Sequence, residues 1–175
     1  MEIRFLNDIK KVLYDKKWAR KAKSFAVYYI ERGIKYKEDL RYDITIIPPK
    51  MLGKEFTKTK GHDHIGDFKE VYEVLKGKAI YLIQKRQKNK IKDVCAILAK
   101  KGDKVVIPPF YGHVTINPSK KFVLKMGNWI SNKCKSDYKF FEKMEGACYY
   151  FTKTGWLKNK NYKQAPKLKL VTCNL

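Results

Sequence analysis

The sequence predicts a mainly β protein, an antiparallel sandwich or barrel preceded by one helix. Three observations predict it. From Phe25 onward, short runs rich in β-branched and aromatic residues recur. Turn signals containing Gly or Pro separate these runs. Helical spacing is confined to the opening segment. Apolar residues make up 44% of the 175 positions, which suits one globular domain with a packed core and not a disordered chain.

The elements follow in order. Between Arg4 and Lys23, the residues Phe5, Ile9, Val12, Leu13 and Trp18 fall at near-helical spacing, so an amphipathic helix is expected there. FAVYYIE (25–31), YDITII (42–47), EVYEVL (70–75), AIYLIQ (79–84), VCAILA (94–99), KVVIP (104–108), HVTIN (113–117) and FVLKMGNW (122–129) are expected strands. PPK, KGK, KKGDK and NPSKK are turn signals between them. SDYKFFEKMEG (136–146) predicts a short helix and ACYYF (147–151) a further strand. The strongly basic tail from Trp156 is expected to run extended over the surface. The organisation expected is an N-terminal helical extension at 1–24, a barrel domain at 25–155 and a basic tail at 156–175.

The charge narrows the partners. Forty Lys and Arg against 17 Asp and Glu give a formal net charge of +23. Such a charge attracts phosphate on nucleic acid, lipid or a metabolite. Yet 35 of the basic residues are Lys and only 5 are Arg, spread along the whole chain. Groove readers and phosphate clamps lean on the planar fork of Arg. Nucleic-acid contact beyond non-specific electrostatics is therefore not expected. Most lysines read as solvated surface, with a minority guiding an anionic ligand; Lys54, Lys58 and Lys60 are candidates, or else edge lysines that discourage strand pairing. No apolar run approaches a membrane span, and MEIRFLNDIKKV lacks a signal-peptide layout. No membrane partner and a cytoplasmic location are expected. Cys95, Cys134, Cys148 and Cys173 form no CxxC pair, so they read as separate small apolar residues.

Only three histidines occur, His62, His64 and His113. On a strand, residues i and i+2 face one side, so His62 and His64 point together. Glu70 opens the next expected strand, and a turn through IGD can bring its carboxylate to the pair. His113 follows a Pro-Pro turn. Two or three imidazoles with one carboxylate suit a divalent first-row metal with positions left for water or substrate. By alternation Thr59 and Gly61 face away from the two histidines, unless the chain bulges at Gly61, where no Cβ resists it. Phe110 and Tyr111 are candidates for a pocket wall or for core.

His62, His64, Glu70 and Gly77 resemble the first signature of the cupin superfamily. Gly102, Pro108, His113 and Asn117 resemble the second, with matching spacing and with Phe110 standing where Gly is frequent. The longer stretches LRYDITIIPPKMLGKEFTKTKGHDH, EVYEVLKGKA and VVIPPFYGHVTIN resemble the archaeal-type glucose-6-phosphate isomerases. This resemblance implies a cupin fold: a double-stranded β-helix, or jelly-roll-like antiparallel barrel, with an N-terminal helix and short C-terminal additions. It implies a metal-dependent isomerase that interconverts glucose 6-phosphate and fructose 6-phosphate in glycolysis and gluconeogenesis. It implies His62, His64, Glu70 and His113 as metal ligands, with Fe2+ the first choice and Mn2+, Ni2+ or Zn2+ the alternatives. Glu70 and Tyr72 are the implied catalytic pair. Thr45, Thr59, the Gly61 backbone N–H, Tyr72 and Tyr138 are the implied substrate contacts. Ser136 stands where that family often carries a histidine. The family tends to be dimeric, which makes a homodimer an expected partner beside the sugar phosphate. Two other readings use the same residues. One is another cupin metalloenzyme acting on a sugar phosphate. The other is a non-catalytic cupin that binds a sugar phosphate or RNA, favoured by Ser136 and by the charge.

Overall fold

The computed structural model describes residues 1–88 and 90–173. Strand β1 (Glu2–Phe5) leads into helix α1 (Leu6–Ile9), a 3-10 turn at Lys10–Val12 and helix α2 (Lys16–Lys21). The expected N-terminal helix is thus present in pieces, with Arg4 and Phe5 in a strand. The break has a physical cause. The Tyr14 N–H donates to Glu55 at 2.6 Å instead of to a helical carbonyl. Asp15 then caps α2 by accepting from the Trp18 N–H at 3.1 Å. Of the expected stripe, Ile9, Val12 and Leu13 are fully buried and Trp18 packs against the core, whereas Phe5 is 45% exposed and Leu6 takes the inward place beside it.

The strands that follow are β2 (Ala26–Lys37), β3 (Leu40–Ile47), β4 (Met51–Leu52), β5 (Glu55–Phe56), β6 (Asp63–Ile65), β7 (Glu70–Lys76), β8 (Lys78–Gln87), β9 (Lys90–Lys100), β10 (Lys104–Ile107), β11 (Tyr111–Ile116), β12 (Leu124–Ser131) and β13 (Lys135–Asp137). Helix α3 (Lys139–Lys143) is shorter than the expected helix, because Ser136 and Asp137 pair as strand. Then come β14 (Tyr149–Thr152), β15 (Gly155–Lys158) and β16 (Lys169–Thr172). Trp156 lies inside β15, which forms a hairpin with β14. Exposed β16 runs parallel to β9.

Six strands in the order β1-β2-β3-β12-β7-β10 form one sheet, and β11-β8-β9-β16 form another. The smaller sheets β13-β6 and β15-β14-β5-β4 complete the jelly-roll-like antiparallel barrel that the two motifs imply. Consecutive residues from Ala79 to Gln84 are buried, so β8 is covered on both faces and its sequence shows no alternation. On one face Tyr81 packs against Tyr72, ring centroids 5.0 Å apart. On the other Gln84 contacts Tyr162 and accepts from the Cys148 N–H at 2.9 Å. Buried Asn117 donates to the carbonyls of Ile47 at 2.8 Å and Phe122 at 3.0 Å, so this motif residue ties the β11–β12 connection to the end of β3. No helix among the described residues is long and apolar enough to cross a membrane.

Gly61 is a local requirement of the fold. Its φ is +84°, and a Cβ there would lie 2.6 Å from Val114 Cγ2 and 2.7 Å from the ring of fully buried Phe141. Gly61→Ala combines backbone strain with overpacking, and is expected to lower stability by about 1–3 kcal/mol. A lower urea midpoint at unchanged m-value is the expected reading. An unchanged midpoint would mean that the chain passes this point in another conformation.

Candidate metal centre

Alternate residues of four strands line one cavity. Strand β2 contributes Tyr28, Ile30 and Arg32; β3 contributes Arg41, Asp43 and Thr45; β12 contributes Met126, Asn128 and Ile130; β7 contributes Glu70 and Tyr72. Each set keeps the period of two that puts side chains on one face of a strand. Thr59, Gly61, His62, His64, His113, Ser136 and Tyr138 line it too.

His62, His64, Glu70 and His113 come together here. Each offers one ligand atom, and these atoms lie within 4.8 Å of one another. His62 is paired with His113 through two backbone hydrogen bonds, at 3.2 and 3.0 Å. Strand β6 begins one residue later and pairs with β13, with His64 opposite Ser136. The IGD turn therefore does not fold β7 back onto the ligand strand. Strand β7 crosses into the six-stranded sheet, between β12 and β10, and delivers Glu70 from there.

Neighbouring groups set the orientation of the four. His64 Nδ1 lies 3.2 Å from the Phe68 carbonyl and donates to it. That leaves the Nε2 lone pair facing Glu70 Oε2 at 3.2 Å. Asn128 Nδ2 donates to the other Glu70 oxygen, Oε1, at 2.6 Å. Oε2 is buried and has no hydrogen-bond partner among the described residues. A carboxylate oxygen and an imidazole lone pair this close call for a cation between them, a proton or a metal ion. The donor set of three imidazoles and one carboxylate fits a divalent first-row ion.

The electrostatics agree with that fit. Burial, the other imidazole at His64 and the charge of Arg32 push the His62 pKa down to about 3. Burial and the two neighbouring imidazoles hold His113 well below the usual histidine range. Both rings are neutral near pH 7 and present lone pairs. Burial also opposes protonation of His64, but the hydrogen bond that a protonated ring would donate to Glu70, with the charge of Glu70, outweighs it and raises its pKa. Burial, then the Glu70 charge, keeps the Tyr72 hydroxyl protonated, 3.1 Å from His113 Nε2.

The positive φ of Gly61 interrupts strand alternation, so Thr59 and Gly61 line the cavity on the same side as His62 and His64. Thr59 Oγ1 accepts from the Thr115 N–H at 3.0 Å. Thr45 is buried in the β3 wall, and the Tyr138 ring lies 5.6 Å from the His62 ring. Several expectations are corrected. Lys58 is buried and paired with Glu55 at 2.5 Å, and Lys60 pairs with Glu142 at 2.5 Å, so neither is a free steering charge. Phe110 is 61% exposed at φ +67°, in the conformation glycine favours, and neither walls the cavity nor joins the core. Tyr111 packs against the core, as the second of its two expected places, and turns its hydroxyl to Asp93 at 2.9 Å. Arg32, Arg41, Asp43 and Asn128 escaped the sequence reading. Stepping back by twos from Thr45 would have found Asp43 and Arg41.

The family model described as "Glucose-6-phosphate isomerase (GPI)" matches residues 8–167. The glucose-6-phosphate isomerase of Pyrococcus abyssi is 37% identical over 122 residues, which cover 66% of this chain and 62% of that protein. That of Thermococcus litoralis is 34% identical over 126 residues, 68% of this chain and 64% of that protein. The chain thus spans less than two thirds of the length of these curated relatives. Among solved structures, an oxalate oxidase in complex with a substrate analogue, glycolate, superposes with a TM-score of 0.51 at 13% identity, over 64% of this chain and 55% of that one. That likeness is one of fold alone. The family match begins within α1, ends just before β16 and encloses all four converging ligands, and on it the chain belongs to the glucose-6-phosphate isomerase family.

Proposed function

We propose that this chain is a metal-dependent isomerase interconverting glucose 6-phosphate and fructose 6-phosphate. One observation carries the reading: in a member of this family, three imidazoles and one carboxylate converge within 4.8 Å in a cavity lined largely by polar side chains. His62, His64, Glu70 and His113 would hold the metal. Fe2+ is the first choice by family likeness, and Mn2+, Ni2+ and Zn2+ suit the same donors. A divalent cation bound there supplies Lewis-acid polarisation of the sugar's carbonyl and hydroxyl oxygens.

The chain's own residues supply the rest. An aldose–ketose isomerase moves one hydrogen between C1 and C2 while the carbonyl moves the other way. In the enediol route a carboxylate removes the C2 proton, the electrons form a C1–C2 double bond as the carbonyl pair moves to O1, a proton passes from O2 to O1, and the carbon-bound proton returns to C1 as C2 becomes the carbonyl. Glu70 is the candidate base, aimed by the Asn128 amide. Asp43 is less suited, since two guanidiniums and the Gly33 N–H share its carboxylate, whereas Glu70 accepts a hydrogen bond from Asn128 alone among the described residues. The neutral Tyr72 hydroxyl is placed to donate to a substrate oxygen. Thr45, Thr59, the Gly61 N–H and Tyr138 would take the phosphate and the remaining hydroxyls. In the hydride route the hydrogen passes from C2 to C1 with its electrons while a proton passes from O2 to O1, and Glu70 takes no proton from carbon.

Glucose 6-phosphate carrying deuterium at C2 separates the routes. Loss of deuterium to solvent is expected if Glu70 acts as base. Full retention in fructose 6-phosphate would sink the enediol route with solvent exchange. No conversion of fructose 6-phosphate by the metal-loaded protein in a coupled assay would overturn the isomerase reading. A homodimer and a cytoplasmic place in glycolysis and gluconeogenesis are proposed on family likeness; the four ligands themselves come from one chain.

A further inference from the structure

Backbone pairing ties the ligand strand to β11 as far as His62, which exchanges two hydrogen bonds with His113. From Asp63 onward the chain pairs with β13 instead, with His64 opposite Ser136. The place of His64 relative to His113 therefore depends on side chains that bridge β6 back to β11 and β8.

Asp63 is placed to be that bridge. It stands between the two ligand histidines, and strand alternation turns it away from the cavity they line. Its Oδ1 lies against Gly112, the residue before His113, where a Cβ would collide with it. Only glycine lets the carboxylate come this close to the β11 backbone. Its Oδ2 is buried and faces Arg86 Nη2 on β8, 3.6 Å away. Asp137, opposite Asp63 on β13, accepts from the Lys139 N–H at 2.9 Å instead.

Arg86 is itself held on three sides. Its Nη1 donates to the Lys88 carbonyl at 3.2 Å, and its guanidinium lies 4.3 Å over the Phe140 ring of α3. Strand β8 in turn pairs with β11, with Ile83 opposite His113. A continuous path thus runs from His64 through Asp63, Arg86 and β8 to His113. An exposed ion pair is screened by solvent and contributes little. Here the Asp63 side chain is 15% exposed, and Asp63 Oδ2 and Arg86 Nε are both buried without a hydrogen-bond partner among the described residues. Removing either charge strands the other, so the tie acts on the strand that carries it.

We propose that Asp63 and Arg86 are a positioning pair that sets the spacing between the His62–His64 strand and His113, and with it the affinity and coordination geometry of the metal centre. The proposal rests on the metal-centre reading and not on the identity of the sugar. Co2+, a first-row ion that these donors suit, gives two readouts on the full chain. Competition with a chromophoric chelator reads affinity, and the visible d–d bands of the bound ion read geometry. Wild type is expected to bind one Co2+ per chain. Asp63→Asn and Arg86→Gln are each expected to bind it about tenfold more weakly, the low end for groups that orient metal ligands, with shifted bands. The double variant is expected to lose no more than either single one, because one tie is broken once. Arg86→Lys keeps the charge; it is expected to recover part of the loss, and carries the test if the other variants do not fold. Lys58→Ala, destabilised at a site remote from the ligands, is expected to keep wild-type affinity and bands, which separates positioning from mere loss of stability. Single variants with wild-type affinity and bands, whatever their melting temperature, overturn the proposal. So do losses that add in full in the double variant, or an equal loss in Lys58→Ala. Wild type that binds no Co2+ overturns the metal centre itself and this proposal with it.

Discussion

His62→Ala is expected to abolish metal retention and turnover together, while the metal-free protein melts close to metal-free wild type. The His62 ring is neutral and held beside two other imidazoles, 4.5 Å from the His113 ring and 5.3 Å from the His64 ring. It serves the empty fold little, so its removal costs metal binding first. Loss of a group that merely orients a ligand, such as Asn128 behind Glu70, lowers metal affinity by about 10–100-fold. Loss of a ligand itself is expected to exceed that. Asn128→Ala should therefore fall between wild type and His62→Ala in metal affinity and in rate. Stability gives a second readout. Metal at a hundred times its Kd stabilises the folded state by about 2.7 kcal/mol. For a chain of this size that is a rise of about 5–10 °C in melting temperature. The rise is expected in wild type and absent in His62→Ala. Elemental analysis after gel filtration and a coupled assay on fructose 6-phosphate complete the check. Stoichiometric metal and full turnover in the variant would place the chemistry elsewhere.

The ligand cluster is legible in the sequence because it is written in a scarce letter. With three histidines in the chain, two of them one residue apart and the third after a Pro-Pro turn, chance placement is a poor account of the pattern. The strands are legible because short β-branched and aromatic runs end at Gly- and Pro-containing turns. What stays hidden depends on partners distant in sequence. The N-terminal helix breaks because the Tyr14 N–H bonds to Glu55, 41 residues away. Strand β7 leaves the ligand strand for a slot between β12 and β10, which no local turn announces. Arg32, Arg41 and Asp43 look like surface charge in a chain rich in charge. They become visible only once Thr45 is known to face inward and the alternation is followed backward. Phe110 occupies a glycine-like conformation, which the sequence shows only as a departure from a motif.

Lys58 hides in the same way, and it carries the largest stability effect. It reads as one lysine among 35, yet its side chain is 6% exposed. Its Nζ donates to Glu55 Oε1 at 2.5 Å and to the Val12 carbonyl at 3.0 Å, and lies 4.9 Å over the Tyr150 ring. Fully buried Glu55 uses its other oxygen, Oε2, to accept the Tyr14 N–H at 2.6 Å. The pair ties the N-terminal segment to the stretch that runs from β5 to the ligand histidines, where Lys58 bridges Ile116 of β11. Lys58→Ala leaves the Glu55 charge buried with a single backbone donor, a change that costs about 3–5 kcal/mol. The expected drop in melting temperature is roughly 10 °C. Removing both charges is expected to hurt less than removing one. Glu55→Gln with Lys58→Met keeps an acceptor for Tyr14, fills the space, and should recover most of the loss. The metal stoichiometry of the folded single variant should stay that of wild type, because the backbone pairing of His62 with His113 and the Asn128–Glu70 bond place the ligands independently of Lys58. A Lys58→Ala protein melting within about 1 °C of wild type would mean that this ammonium is solvated like the chain's other lysines, as surface pairs are. A double variant no more stable than the single one would mean that packing around Lys58, and not the stranded charge, carries the effect.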